Sequence, residues 1–406
     1  MSRRVLIIVE NLPVPFDRRV WNEATSLARA GYVVSVICPA TVDYPERHEV
    51  IDGIEIFRHP LPEAHGALAY LLEYGCALFW QFVLSVRVLR RRGFDVIHAC
   101  NPPDLIFLIG RVFKLFGKKF IFDHHDLCPE LYEAKFGRRG PMYRWLLWCE
   151  RQTFRAADLS IATNQSYREI AIRRGGMAPD AVHIVRSGPK LDRMRILPPD
   201  PALKKGRAFL VGYVGVMGKQ EGIEYLLAAA HHMVHERGRS DVQFGLVGGG
   251  PELANLKALC SELDLDEHVT FTGRVPDDAL LAMLNTADVC VNCDAYNEMN
   301  DKSTMNKVME YMALGKPIVQ FDLTEGRYSA EEASLYAKRN DPQDLAVRIE
   351  ELLADPDRRR RMGEYGRQRI ETVLNWRHEE PKLLAAYDAV MQAPFPKAEP
   401  APRVSR

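Results

Sequence analysis

The sequence predicts an α/β protein made of two Rossmann-like domains in tandem, each with a parallel sheet, and three observations carry that prediction. Short β-branched runs alternate with longer stretches of helical apolar periodicity along nearly the whole chain. The alternation is interrupted at residues 196–206 (ILPPDPALKKG), where three prolines, a charge cluster and a glycine form a linker composition. A chain of 406 residues is also longer than one hydrophobic core usually serves.

In the first half, strands are expected at 5–9, 33–38, 96–98, 119–122, 159–162 and 182–185. Helices at 19–30, 68–92, 104–116 and 143–156 lie between them. After the linker, strands at 209–213, 243–247, 269–271, 289–292 and 317–321 alternate with helices at 223–237, 251–263, 277–285, 306–314 and 341–354. Nearly continuous apolar strands joined by crossover helices imply parallel sheets covered on both faces. The expected domains are therefore residues 1–195 and 207–375. A last helix within 376–392 follows an already complete second unit and is expected to pack back on the first. The Pro- and Ala-rich tail, 393–406, is expected to be disordered.

Apolar residues make up 47% and charged residues 27%, which excludes bulk disorder. Lys plus Arg and Asp plus Glu balance at 54 each, so no nucleic acid partner is expected and any basic site must be local. The eight cysteines lack the spacing of a disulfide framework, which suits a reducing cytoplasm. The apolar run at 5–9 is too short for a signal peptide. The apolar stretch 66–89 is interrupted by Glu73, Gln81 and Arg87, so no membrane span is expected.

Two stretches carry chemistry. At 247–253 (VGGGPEL) glycines link a strand to a helix, which serves either as a tight turn or as a loop that brings backbone N–H groups to an anion. At 302–319 (KSTMNKVMEYMALGKPIV) a polar loop enters a short helix, a Gly-x-Pro turn ends it and a buried strand follows. At a sheet's carboxyl edge this helix can offer Glu310 to ribose hydroxyls, while Ser303, Thr304 and Lys307 meet phosphate oxygens.

With these residues the chain resembles the family-4 glycosyltransferases, retaining enzymes of the GT-B fold that use sugar nucleotides. The resemblance spans nearly the whole chain and rests on GGGPEL at 248–253, VTFTGRV at 269–275, ADVCVN at 287–292 and NKVMEYMALGKPIV at 306–319, in that order. DRRVWNEA at 17–24, DVIH at 95–98 and FDHHDL at 122–127 extend it into the first half. The NK-x-x-EYMA-x-GKP form is similar to enzymes that build bacterial surface polysaccharides.

The resemblance implies a donor site in the second domain. Glu310 matches the second carboxylate of the family's E-x7-E motif and would hold the donor ribose. The first carboxylate falls at Lys302, a departure that passes the sugar-facing role to Glu298 or Asp301, or to backbone N–H groups around Ser303 and Thr304. Val216 and Glu221 stand where the family places an Arg and a Lys on the diphosphate. Lys219, beside Gly215 and helped by Lys307, is expected to meet that charge. Gly249 belongs to the glycine loop, and Arg274 with Val275 matches the loop that reads the nucleobase.

His125 and Asp126 match a position beside the donor sugar and acceptor. Asp17, Arg18, Arg19 and His98 are expected on the acceptor side, although Asp17 reads equally as a plain helix cap. Ser187, Gly188 and Pro189 are expected to line the cleft, with Glu325 or Arg327 near substrate. The implied partners are a UDP- or GDP-sugar and a glycan or lipid-linked acceptor. No cofactor and no metal are expected. Cys290 with Cys293, His231 with His235, and Asp264 with Asp266 read as structural. The stretch 67–92, apolar and then basic, reads either as a core helix or as a peripheral contact with an anionic membrane surface. A nucleotide-sugar epimerase and a non-catalytic nucleotide-binding subunit are the alternatives.

Overall fold

The computed structural model describes residues 3–61 and 67–392; the expectation for 393–406 lies outside them. The first domain is an eight-stranded sheet ordered β3-β4-β2-β1-β5-β6-β7-β8. Its strands are β1 (Arg4–Ile8), β2 (Val33–Pro39), β3 (His48–Ile51), β4 (Ile54–His59), β5 (Val96–Cys100), β6 (Lys119–His124), β7 (Leu159–Ala162) and β8 (Val182–Ile184). All neighbours are parallel except β3 and β4, a hairpin closed by Asp52 and Gly53 at φ 51° and 79°. Only a turn with two left-handed residues fits the strand twist there, and Asp-Gly supplies it. The sequence reading passes over this hairpin.

The second domain is a six-stranded sheet ordered β11-β10-β9-β12-β13-β14. It comprises β9 (Phe209–Val214), β10 (Val242–Val247), β11 (Val269–Gly273), β12 (Val289–Asn292), β13 (Ile318–Phe321) and β14 (Ser334–Ala337), all parallel. In both domains the order reverses beside the first strand of the unit. Loops leaving the strands on either side of that point diverge and open a crevice at the carboxyl edge.

Each sheet is covered on both faces by helices. Helix Arg18–Arg29 starts at Asp17, whose carboxylate accepts the Val20 N–H at 3.1 Å, and it buries Val20, Ala24 and Leu27 against β1 and β2 residues. Leu191 and Met194 already pack in the second core, a few residues before the boundary placed at 195. The last helix, Trp376–Gln392, returns to the first domain and packs Trp376, Leu383, Tyr387 and Val390 against Val5, Val36 and Ile161. The indole N–H of Trp376 donates to Ser26 at 2.9 Å.

Candidate active site

The carboxyl edges of the two sheets face one another, and side chains from both domains meet in a cavity of about 380 Å³. Arg18, Arg19, Trp21 and Asn22 line it from the first domain, Ser187, Gly188, Pro189 and Arg193 from the connection, and Asp277, Asn306 and Glu310 from the second. Gly188 is required where it stands, because a Cβ there would collide with the Leu374 carbonyl oxygen.

Glu310 lies on the second turn of helix Asn306–Ala313. One of its oxygens, Oε1, accepts from Arg193 at 2.9 Å and from Arg18 at 3.2 Å. The same two guanidinium groups reach Asp277, Arg193 at 2.8 Å and Arg18 at 3.2 Å. Burial and the neighbouring Arg193 charge lower the pKa of Arg18. Sequence reasoning missed Arg193 and Asp277. Their only signal is charge in a connection and at a helix start, which is indistinguishable from an ordinary solvated surface.

Behind this cavity lies a buried network of the first domain. The Asp123 carboxylate accepts from Arg19 Nη2 at 2.8 Å and Nε at 3.1 Å, from His125 Nε2 at 2.5 Å and from His98 Nε2 at 3.2 Å. Burial works against the charge on Asp123, but Arg19 and His125 outweigh it and hold its carboxyl well below the usual range. Glu23, 3.2 Å from Arg19, is pushed the other way by burial and by Asp123. His98 is lowered by burial and accepts the Tyr387 hydroxyl at Nδ1, 2.8 Å away. The Glu23, Asp123 and His125 ligand atoms cluster as a metal site would, yet the Arg19 guanidinium already supplies the cation there. Arg19 and His98 thus sit inside this network, and Arg19 also lines the cavity, where it donates to Ser187 at 3.1 Å. Burial raises the pKa of Asp126, whose backbone N–H, like that of His125, donates to Asn101 Oδ1.

The donor loops of the second domain pack tightly on one another. A Cβ on Gly248 would strike the Gly215 carbonyl, and the Met217 N–H donates to the Gly249 carbonyl at 2.9 Å. The triple glycine serves this close backbone approach. Arg274 stacks over the Phe16 ring of the first domain, 4.6 Å from its centroid, while Val275 packs on the second core. Lys219 is exposed and pairs with no other described side chain.

Lys307 requires a correction. Instead of standing free for phosphate, its ammonium binds Glu221 at 2.6 Å and Asp294 at 2.8 Å and is almost buried. Burial opposes that charge, but Asp294 and Glu221 override it and raise the pKa of Lys307 well above its usual value. Burial pushes Asp294 up to about 7, while Lys307 holds Glu221 below its ordinary value against its own burial. The charge reversal at Glu221 was visible in the sequence; its partnership with Lys307, 86 positions away, was not.

The loop before the Asn306–Ala313 helix is also less free than expected. Asn164 donates to the Lys302 carbonyl at 2.8 Å and to Thr304 at 3.0 Å, and the Tyr167 and Ser303 hydroxyls are 3.2 Å apart. Ser303 and Thr304 therefore join the domains. Of the two carboxylates offered for the sugar, Asp301 caps helix Thr324–Ala330 through the Thr324 N–H at 3.0 Å, and Glu298 pairs with Lys302 at 2.9 Å. Glu298 remains half exposed, but Asp301 is spent on the cap. Glu325 accepts from Ser166 at 2.7 Å and ties the domains, whereas Arg327 pairs with Asp322. All eight cysteines are free, and His231 and His235 bind backbone carbonyl groups of Leu263 and Asp264.

Comparison with known proteins assigns the two halves separately. Residues 17–188 match the model of the Glycosyl transferase 4-like domain, and residues 199–369 match that of Glycosyl transferases group 1. The chain is a glycosyltransferase of the GT-B fold. It is 28% identical to the D-inositol 3-phosphate glycosyltransferase of Corynebacterium jeikeium over 92% of this chain and 91% of that one. It is likewise 28% identical to the alpha-maltose-1-phosphate synthase of Mycolicibacterium smegmatis, over 68% of this chain and 74% of that one. Among solved structures, sucrose-phosphate synthase from Thermosynechococcus elongatus superposes with a TM-score of 0.77 at 20% identity, over 96% and 99% of the two chains. Anabaena HepE in complex with UDP-glucose superposes at 0.71 and 15% identity, over 95% and 99%. These two likenesses concern the fold of the glycosyltransferase.

Proposed function

We propose that this glycosyltransferase moves a sugar, with retention of configuration, from a nucleoside diphosphate sugar to a lipid-linked glycan acceptor in the synthesis of a cell-surface polysaccharide. The observation that carries this reading is Glu310 at the mouth of a two-domain cavity, on the helix and at the motif position suited to a donor ribose. The HepE structure is a complex with UDP-glucose, which supports a UDP-sugar donor. Lys219 and the N-terminal turn of the Asn306–Ala313 helix meet the leaving diphosphate, and Arg274 and Val275 flank the base. Front-face departure needs no protein nucleophile: the phosphate leaves and the acceptor hydroxyl arrives on one side, and the leaving phosphate takes the proton. The protein supplies position and charge without a metal.

A lipid-linked acceptor calls for a membrane-facing surface, and the first domain offers one. Helices Ala67–Arg91, Phe107–Lys114 and Pro141–Ala156 adjoin through Phe82 on Phe113 and Phe107 on Trp148. They leave Phe79, Leu115, Phe116 and Trp148 at least half exposed, beside Arg87, Arg90 and Lys118. Apolar side chains ringed by cations suit an anionic bilayer surface. No helix among the described residues is long and apolar enough to cross a membrane.

The test is a panel of UDP- and GDP-sugars, with and without lipid-linked acceptor, scored for free nucleoside diphosphate. Release only with acceptor supports transfer. An isomerised donor, or binding without turnover, overturns it. Glu310→Ala is expected to lower transfer by about 100-fold, since misplacing a bound reactant costs that much, with the thermal unfolding curve unchanged. Flotation with anionic vesicles, lost in Phe79→Ser/Phe116→Ser and absent with zwitterionic vesicles, is the outcome expected for the membrane face.

A further inference from the structure

The family resemblance places His125 beside the donor sugar, and the proposed transfer reaction takes that placement over; the buried network around it says more. The Asp123 carboxylate is fully buried and ionised, and its Oδ2 lies 2.5 Å from His125 Nε2. An ionised carboxylate oxygen can only accept, so Nε2 carries the proton. Arg19 Nε is 2.9 Å from the same nitrogen. A protonated Nε2 cannot accept from it, and that N–H goes to Asp123 Oδ2, 3.1 Å away. The two neighbours compete for this nitrogen, and the ionised carboxylate, the nearer of the two, sets the tautomer while Arg19 Nε–H turns to Oδ2. The backbone N–H of His125 is fixed by Asn101 Oδ1 at 2.7 Å, so ring and chain are both held. What remains is Nδ1, without a partner among the described residues, on a side chain that keeps 12% of its surface open.

Asp123 is in turn held by Arg19 and His98. Arg19 grips both of its oxygens, and His98 Nε2–H donates to Oδ2. His98 must then accept at Nδ1, and the Tyr387 hydroxyl donates there at 2.8 Å, with the two rings stacked. Tyr387 belongs to the C-terminal helix, more than two hundred residues away along the chain from Asp123 and packed against the first domain. The other titratable group facing this set is Glu23, 3.5 Å from His98 Nε2, whose carboxyl burial and Asp123 push well above its usual value.

We infer that Asp123 is a positioning residue of the transfer reaction: it fixes His125 as the Nε2–H tautomer, so that Nδ1 accepts a hydrogen bond from a sugar hydroxyl, and Tyr387 of the C-terminal helix completes the relay through His98. This rests on the placement of His125 beside the sugar. It makes the returning helix part of the site rather than a clasp alone.

Nitrogen-15 imidazole spectra of the full-length protein decide the tautomer without any variant. His125, assigned by loss of its signals in His125→Gln, is expected to show a protonated Nε2 and a bare Nδ1 at pH 7–8. A bare Nε2, or an imidazolium, overturns the inference. In kinetics, Asp123→Asn is expected to lower kcat by about 100-fold, the range for a lost acid–base or hydrogen-bonding group, with the donor KM little changed and a mixture of tautomers in the spectrum. Tyr387→Phe, a milder change, is expected to lower kcat several-fold in the same pattern. If His125→Ala leaves transfer intact, the placement of His125 fails and the inference with it. If His125→Ala abolishes transfer while Asp123→Asn and Tyr387→Phe keep wild-type kcat and the Nε2–H tautomer, the inference alone fails.

Discussion

Asp123 and Asp294 stand in matching places. Each is a fully buried carboxylate at the carboxyl edge of its sheet, Asp123 on β6 and Asp294 two residues beyond β12. Each meets a cation from the first turn of a helix, Arg19 from Arg18–Arg29 and Lys307 from Asn306–Ala313. Asp123 receives four N–H groups and stays ionised. Asp294 receives Lys307 at Oδ1, leaves Oδ2 unpartnered and competes with Glu221 for that one ammonium. A guanidinium fork and two imidazoles saturate a carboxylate; a single ammonium shared between two does not. In the first domain the ionised carboxylate is thus saturated and the leftover valences fall on Glu23, whereas in the second they fall on Asp294 itself.

The largest expected effect tests that contrast directly. Asp123→Ala leaves the buried Arg19 with Glu23 alone, a carboxyl that burial pushes toward its neutral form, and takes the acceptor from two imidazoles, so it is expected to cost about 3–5 kcal/mol, the range for breaking a buried pair from one side. Asp294→Ala leaves Lys307 with Glu221 and is expected to cost only about 1–2 kcal/mol. Urea unfolding of both variants checks this; equal losses would break the comparison.

The contrast also bears on what the sequence could reveal. The parallel sheets were legible because an apolar strand and a periodic helix are local patterns. The Asp52–Gly53 hairpin, β14 and the helices Cys128–Phe136 and Gln165–Arg173 were passed over, because short or weakly periodic elements take their stability from the packing around them. Glu310, Arg274 and His125 were singled out through the ordered motifs. Their partners were not: Arg193 reaches Glu310 across 117 positions, and Tyr387 reaches His98 across 289. Lys307 was misread for the same reason, since the carboxylates that claim it come from two other loops.

The next effect in size is a pH dependence. The Asp294 carboxyl is raised from 3.8 to about 7 in the folded protein, so the folded state binds this proton more tightly than the unfolded state. The stability it contributes is fully present below about pH 4 and is lost as pH rises through 7. Asp294→Asn keeps an acceptor for Lys307 and removes the titration. Its unfolding free energy is expected to gain on wild type steadily from pH 4 to 8. Asp104 and Glu150, raised to about 8 and about 7, are common to both proteins and cancel in the difference. A difference that is flat with pH would mean that Asp294 is ionised throughout and that the second carboxylate is as saturated as the first.

The smallest effect on stability carries the sharpest statement about ligand. Arg18 and Arg193 both rest on Glu310 Oε1, yet the Arg18 side chain is 49% exposed and that of Arg193 22%. The Arg18 pair is open to solvent and worth about 0–1 kcal/mol; Arg193→Gln leaves Glu310 paired with Arg18 and keeps an amide donor, so unfolding is expected to shift by no more than about 1 kcal/mol. A ribose that binds Glu310 must compete with these guanidinium groups for the same oxygen. Removing one competitor is expected to tighten nucleoside diphosphate binding by up to about 5-fold, the equivalent of 1 kcal/mol, measured by calorimetry with UDP and GDP. Tightening with a stability change no larger than that marks the arginines as a latch that the donor displaces. Weaker binding would reverse their role: the guanidinium groups would then be held over Glu310 in order to be handed to the nucleotide itself.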